Sequence, residues 1–220
     1  MDLTYFGVEL FKRNKQRQMD FDYFVVDGSN EKAYKTVKKL LKNKTEYSPL
    51  YIYGKSGLGK THLVTAIAKE MENEKNFSLI NCEDFINEVN NNEDIEKYYN
   101  YDFFIIDDIQ YIMLKEKAKN ELVKLINHFI ENNKKMILTS TLPPQIIFKD
   151  SKDIDLSKGV ITEITMPKVR IKREVAKKFE EDEEVVFNNV RLGELINEST
   201  TVENFLDKLD EEKFEITFKG

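Results

Sequence analysis

One cysteine, two histidines and five arginines are all that this 220-residue chain holds of those residue types. A single thiol, Cys82, excludes an intramolecular disulfide and a thiolate metal cluster. His62 and His128 stand far apart, each in a predicted helix, and read as packing or surface residues rather than metal ligands. No apolar run approaches the roughly eighteen residues that cross a bilayer. No secretory signal is seen either. The expectation is a cytoplasmic protein with no membrane partner. Positive charge is also short: 34 Lys and Arg stand against 40 Asp and Glu, a net charge of −6. That removes a long-range field for nucleic acid and leaves local patches only, of which Lys12-Arg13-Asn14-Lys15-Gln16-Arg17 is one candidate. No internal repeat is evident.

What is present suits one medium domain, or a core domain with a small appendage. Apolar residues make up 40% and charged residues 34%, enough for a real core beneath a heavily charged surface. Residues 1–20 read as a short polar leader. Ser29-Asn30 reads as the cap of a helix running to about Leu41, with Val37, Leu40 and Leu41 on one face. Apolar runs at 50–53, 77–80, 103–106, 136–138 and 160–164 read as strands, alternating with helices at 61–71, 83–89 and 115–131. A further short helical piece ends at Tyr99. A continuous apolar run such as Phe103-Phe104-Ile105-Ile106 indicates a strand covered on both faces, as in a parallel sheet. The alternation predicts a doubly wound α/β core over 21–167, with phosphate binding outside the carboxyl ends of its strands. Beyond Pro167 the pattern changes. A basic helix over 168–179, a solvated acidic run at 180–184, a helix over 201–209 capped by Thr200 or Thr201, and a terminal strand over 214–218 make an appendage or lid at 168–220.

The chemistry centres on Gly54 to Thr61, GKSGLGKT, between the strand at 50–53 and the helix that follows. The pattern G-x-x-x-x-G-K-[ST] is a phosphate cradle: loop N–H groups converge on an anion and the helix dipole adds to the attraction. Gly54, Ser56, Gly57, Leu58, Gly59 and His62 belong to that cradle. Lys60 is expected to reach the β- and γ-phosphates, and Thr61 to place its hydroxyl on Mg²⁺. The apolar strand ending in Asp107-Asp108 delivers carboxylates beside the loop. Asp107 would hold the metal through its water shell, and Asp108 would polarise an attacking water. Ser140 and Thr141, at the end of the next strand, are candidates to sense the nucleotide's state. Arginine is confined to Arg13, Arg17, Arg170, Arg173 and Arg191, of which the last three fall in the lid and could neutralise charge in hydrolysis.

These residues resemble the ATPase domain of DnaA-type bacterial replication initiators and their ATPase-only paralogues, within the AAA+ family. The resemblance is carried by FDYFVVDGSNEKAY at 21–34, PLYIYGKSGLGKTHL at 49–63, EDFINEV at 83–89, DFFIIDDIQYI at 102–112 and MILTSTLPP at 136–144. DnaC-type helicase loaders are next nearest. The resemblance implies an AAA+ phosphate-loop three-layer fold with a small, reduced C-terminal lid. It implies ATP or ADP with Mg²⁺ as ligands, and an adenine pocket near Phe24, Val25, Val26 and Asn30. It places Thr141 at the first sensor, where initiators usually carry an acid or amide. It makes NNVRLGEL at 188–195 similar to the second-sensor motif, so that Arg191 would touch the γ-phosphate. It also aligns Asp155 with the initiators' trans-acting arginine finger, with Lys149, Lys152 and Lys158 nearby. The short leader and the absence of a helix-turn-helix region make direct binding to double-stranded DNA unexpected. The segment between the second and third strands, which helps initiators grip single strands, is short and rich in Asn and acid. The expectation is a regulator or assembly factor of replication initiation that binds Mg-ATP, hydrolyses it slowly at most, and contacts an initiator or a helicase component. The alternative is a DnaC-type loader gripping single-stranded DNA. Oligomeric state is left open.

Overall fold

The computed structural model describes residues 19–42, 48–74, 76–149, 151, 154 and 156–219. Five parallel strands form one sheet: β1 (Leu50–Tyr53), β2 (Phe77–Asn81), β3 (Phe103–Asp107), β4 (Lys135–Ser140) and β5 (Val160–Glu163), in the order β2-β3-β4-β1-β5. Side chains alternate across a strand, so each apolar run feeds two cores. Leu50, Ile52, Phe103, Ile105 and Ile137 pack with α1 (Glu31–Leu41) and α2 (Lys60–Glu70). Tyr51, Phe104, Ile106, Met136 and Leu138 pack on the other face with α3 (Cys82–Asn90) and α4 (Glu116–Glu131). This two-sided covering is why β3 is buried at all five positions. A short turn of helix, α5 (Pro144–Ile147), follows β4.

Register sets the site. Tyr53 lies opposite Ser140, Ile106 opposite Leu138, and Asn81 opposite Asp107. The carboxyl ends of β1, β3 and β4 therefore stand level, and the loops leaving them share one edge of the sheet.

A third core belongs to α6 (Val169–Glu183), α7 (Asn189–Glu198) and α8 (Val202–Lys219), which pack around Ile171, Phe179, Phe187, Ile196, Phe205 and Leu209. Asn188 caps α7 by accepting from the Val190 N–H at 2.8 Å, and Thr201 caps α8 by accepting from the Asn204 N–H at 3.1 Å. Of the two expected caps, Thr201 is the one used.

Two expectations for this region are corrected. The strand read at 214–218 is the continuation of α8. Phe205 and Leu209, fully buried and four residues apart, fix the segment as a helix against its neighbours. A strand would need a ladder partner, whereas a helix satisfies its own N–H groups. Among the described residues, the edge strands β2 and β5 each pair on one side only, with β3 and β1. The acidic run at 180–184 is only in part solvated. Glu180 accepts from the Phe187 N–H at 2.8 Å, Asp182 accepts from the Tyr23 hydroxyl at 2.8 Å, and Glu183 pairs with Lys213. The sequence reading also missed α7 as a helix of its own.

Candidate nucleotide site

The loop from β1 to α2 is shaped by its glycines. Gly57 and Gly59 have φ of 74° and 88°, in the left-handed region that glycine enters cheaply. Gly59 is the N-cap of α2, so the loop's N–H groups and the first turn of the helix open on the same space. Lys60 begins that helix and is 5% exposed, with its ammonium donating to the carbonyls of Gly54 at 2.9 Å and Lys55 at 3.0 Å. Burial pushes its pKa down, while Asp108, Asp107 and Glu203 pull it up.

The Asp pair divides its work. Asp107 is 6% exposed and tied on both sides: Thr61 donates to Oδ2 at 2.8 Å and the Thr139 hydroxyl donates to Oδ1. Burial raises its pKa, and the two hydroxyls oppose the rise. Asp108 adopts φ 58° and ψ 47°, a left-handed turn that sends its carboxylate to the cavity while its N–H donates to Thr139 Oγ1 at 2.9 Å. Thr139 thus bridges both acids, donating to one and accepting from the other.

Above the loop lies a cavity of about 590 Å³, within the usual range for a small-molecule site. Its walls are the strap at Tyr23 to Val25 with Asn30, the loop from Ser56 to His62, and the lid helices α6 and α8. Phe24 stacks on Tyr34 with ring centroids 5.9 Å apart and meets His62 edge-on at 5.3 Å. Asn30 stiffens the strap, donating to the Val25 carbonyl at 2.9 Å and accepting from the Asp27 N–H at 3.0 Å. His62 Nε2 lies 2.9 Å from the Asp20 carbonyl oxygen, and burial lowers its pKa. Cys82 is buried, with its thiol pushed up to about 12, and offers no thiolate.

Phe24, Val25, Asn30, Ser56, Gly57, Leu58, Gly59, Lys60, Thr61, His62 and Asp108 line this cavity, and Asp107 stands directly behind Thr61. Gly54 does not line it; its N–H donates to the Ser140 carbonyl at 3.1 Å. Val26 packs into the core beside α1 and α2 instead. Ser140 is buried and its hydroxyl accepts from the Leu142 N–H at 3.0 Å, while the Thr141 N–H donates to Gln110 Oε1 at 3.0 Å. Neither lines the cavity. Arg191 lies on α7 among carboxylates, with Nε donating to Glu212 at 2.8 Å and Nη1 to Glu194 at 3.1 Å; it does not line the cavity either. The lid side chain at the loop is Glu203 of α8, whose N–H donates to the Gly57 carbonyl at 3.3 Å. Asp155, Lys152 and the cluster at 12–17 lie outside the described residues.

Sequence reasoning missed Thr139 and Glu203. Strand register could have found Thr139, because Ile106 opposite Leu138 puts Asp107 beside it. No local signal marks Glu203.

A five-stranded parallel sheet with this loop at the carboxyl end of β1, between β4 and β5, and a helical lid above it defines an AAA+ phosphate-loop ATPase domain. The chain belongs to the family described as the bacterial DnaA ATPase domain, whose profile matches residues 15–163. The chromosomal replication initiator protein DnaA of Helicobacter hepaticus is 34% identical over 180 residues, covering 77% of this chain and 40% of that protein. The chain thus spans about two fifths of that relative's length. Domain III of Thermotoga maritima DnaA superposes with a TM-score of 0.80 at 22% identity, over 93% of this chain and 91% of that one. AMPPCP-bound DnaA from Aquifex aeolicus gives 0.80 at 24%, over 93% and 67%. Among the described residues no helix is long and apolar enough to cross a membrane.

Proposed function

We propose that this chain binds ATP or ADP with Mg²⁺, hydrolyses ATP slowly at most, and acts through a nucleotide-dependent contact with another replication protein, an initiator or a helicase component. The observation that carries the reading is the run Thr61–Asp107–Thr139–Asp108 at the carboxyl ends of β3 and β4, beside the buried Lys60. The residues present fit a magnesium nucleotide. Loop N–H groups and the Lys60 ammonium would meet phosphate oxygens, and Phe24, Val25 and Asn30 would offer a surface for a base. Among the described residues no group of three or more His, Cys, Asp or Glu forms a metal cage. Magnesium needs none, since one or two carboxylates plus substrate phosphates usually hold it. Thr61 would place its hydroxyl on the ion, and Asp107 would hold it through its water shell. The bound ion would neutralise phosphate charge. Asp108, free to face the cavity, would orient and polarise a water.

Binding of a fluorescent ATP analogue by the intact chain, with Lys60→Ala as the negative variant, tests the site. Capture of a full-length DnaA-type initiator with ATP but not without it tests the output. Equal capture with and without nucleotide would remove the regulatory reading. The loader alternative has its own signature, single-stranded DNA binding that weakens steeply with salt as counterions are released.

A further inference from the structure

The lid presents an acid where a polyanion is expected. At Gly57, on the crest of the loop, an added Cβ would stand 2.7 Å from Thr201 Oγ1 and 3.0 Å from Glu203 Oε2. The lid therefore seats the first turn of α8 directly on the loop, fixed by the Glu203 N–H on the Gly57 carbonyl at 3.3 Å and by the Thr201 cap. The carboxylate of Glu203 acts electrostatically on Lys60, as do those of Asp108 and Asp107. Among the described residues, the cavity wall carries Asp108, Asp182, Glu203 and Asp210 beside Lys60 and Lys178, with Glu183 already paired to Lys213. Arg191 does not redress this balance, being held by Glu212 and Glu194 away from the cavity.

We infer that Glu203 is a specificity-determining residue that biases the site against the outermost phosphate, favouring nucleoside diphosphate over triphosphate. The inference rests on the nucleotide-site reading above. A nucleotide whose base lay against Phe24, Val25 and Asn30 would direct its outer phosphates toward Lys60 at the start of α2. Each added phosphate brings more negative charge into the field of Glu203. The same carboxylate and the phosphates compete for one ammonium. Like charges at such range repel by an amount that solvent and salt screen, because Glu203 is exposed. Glu203 also complements the positive end of its own helix, a role that glutamine at this position fills in part.

Titration calorimetry of the intact chain with AMP, ADP and ATP, each with Mg²⁺, separates these roles. Glu203→Gln is expected to tighten ATP roughly two- to fivefold, ADP less and AMP not at all, with the gain shrinking at high salt. Glu203→Lys should move the ATP-to-ADP preference further in the same direction. A gain equal for all three nucleotides, or none, would overturn the inference, since a steric or helix-capping role does not count phosphates. The two readings fail differently. Wild-type binding that Lys60→Ala abolishes, with the ATP-to-ADP ratio unmoved by Glu203→Gln, sinks only the role of Glu203. No nucleotide binding by wild type or by Glu203→Gln sinks the nucleotide site and the inference together.

Discussion

Thr139 has no exposed surface and serves two partners, so removing its hydroxyl strands both. Thr139→Val keeps the shape and leaves the Asp108 N–H without its acceptor and Asp107 without one donor. An unmade buried hydrogen bond costs about 1–3 kcal/mol, and urea denaturation should show a loss of that size. A loss under a few tenths of a kcal/mol would mean that water replaces the hydroxyl. His62 gives a pH prediction. Burial lowers its pKa, the Asp20 carbonyl and carboxylate oppose the shift, and Lys69 and Lys178 reinforce it. The fold therefore favours the neutral ring. Its contribution is complete above the unfolded value of about 6.5 and is lost as pH falls through the lower folded value. The melting-temperature advantage of wild type over His62→Gln should narrow on acidification from about pH 7.5 to 5.5. A constant gap would show that His62 does not titrate in that window. At this scale, the meeting of Lys60, Thr61, Asp107 and Asp108 at one place is legible because the strand-turn-helix pattern and the Asp pair at a strand end are local signals. Thr139 and Glu203 are not, because one owes its place to strand register and the other to the docking of the lid.

Elements were readable wherever burial was two-sided or strictly periodic. The strands announced themselves as apolar runs, and α4 by Leu122, Leu125, Ile126 and Phe129. The lid was read less well because its helices carry long charged stretches. In α8 the spacing of Phe214, Ile216 and Phe218 mimics a strand, while Phe205 and Leu209 hold the helix. Phe205 is fully buried among α6, α7 and α8, in a core of its own that Val25 of the strap joins. Phe205→Ala should cost roughly 3–5 kcal/mol in that subdomain, as large buried aromatics do. Hydrogen exchange should speed up across α6 to α8 while β1, β3 and β4 stay protected. Uniform acceleration over the sheet as well would mean that lid and core unfold as one unit.

The whole molecule combines an intact phosphate loop with a shortage of guanidinium groups. No arginine occurs between Arg17 and Arg170, so the five strands of the sheet and the helices that connect them hold none. Lysine is a poor substitute, lacking the planar fork that matches phosphate. Unassisted phosphoryl transfer in such sites is slow, and an arginine supplied in cis or in trans raises it by orders of magnitude. Arg191 cannot serve while Glu212 and Glu194 hold it, Arg170 and Arg173 do not line the cavity, and copies of this chain present no arginine from the sheet or its connecting helices to one another. Steady-state ATP turnover per monomer should therefore be on the order of 10⁻³ s⁻¹ or slower. It should also stay flat across a wide range of protein concentration. A rate that climbs with concentration would mean that a lysine, or a lid arginine freed from its carboxylates, completes a neighbour's site. The chain would then be a self-assembling ATPase. A flat, low rate that rises only when a DnaA-type initiator is added would place the missing charge on that partner and make nucleotide turnover a property of the mixed assembly.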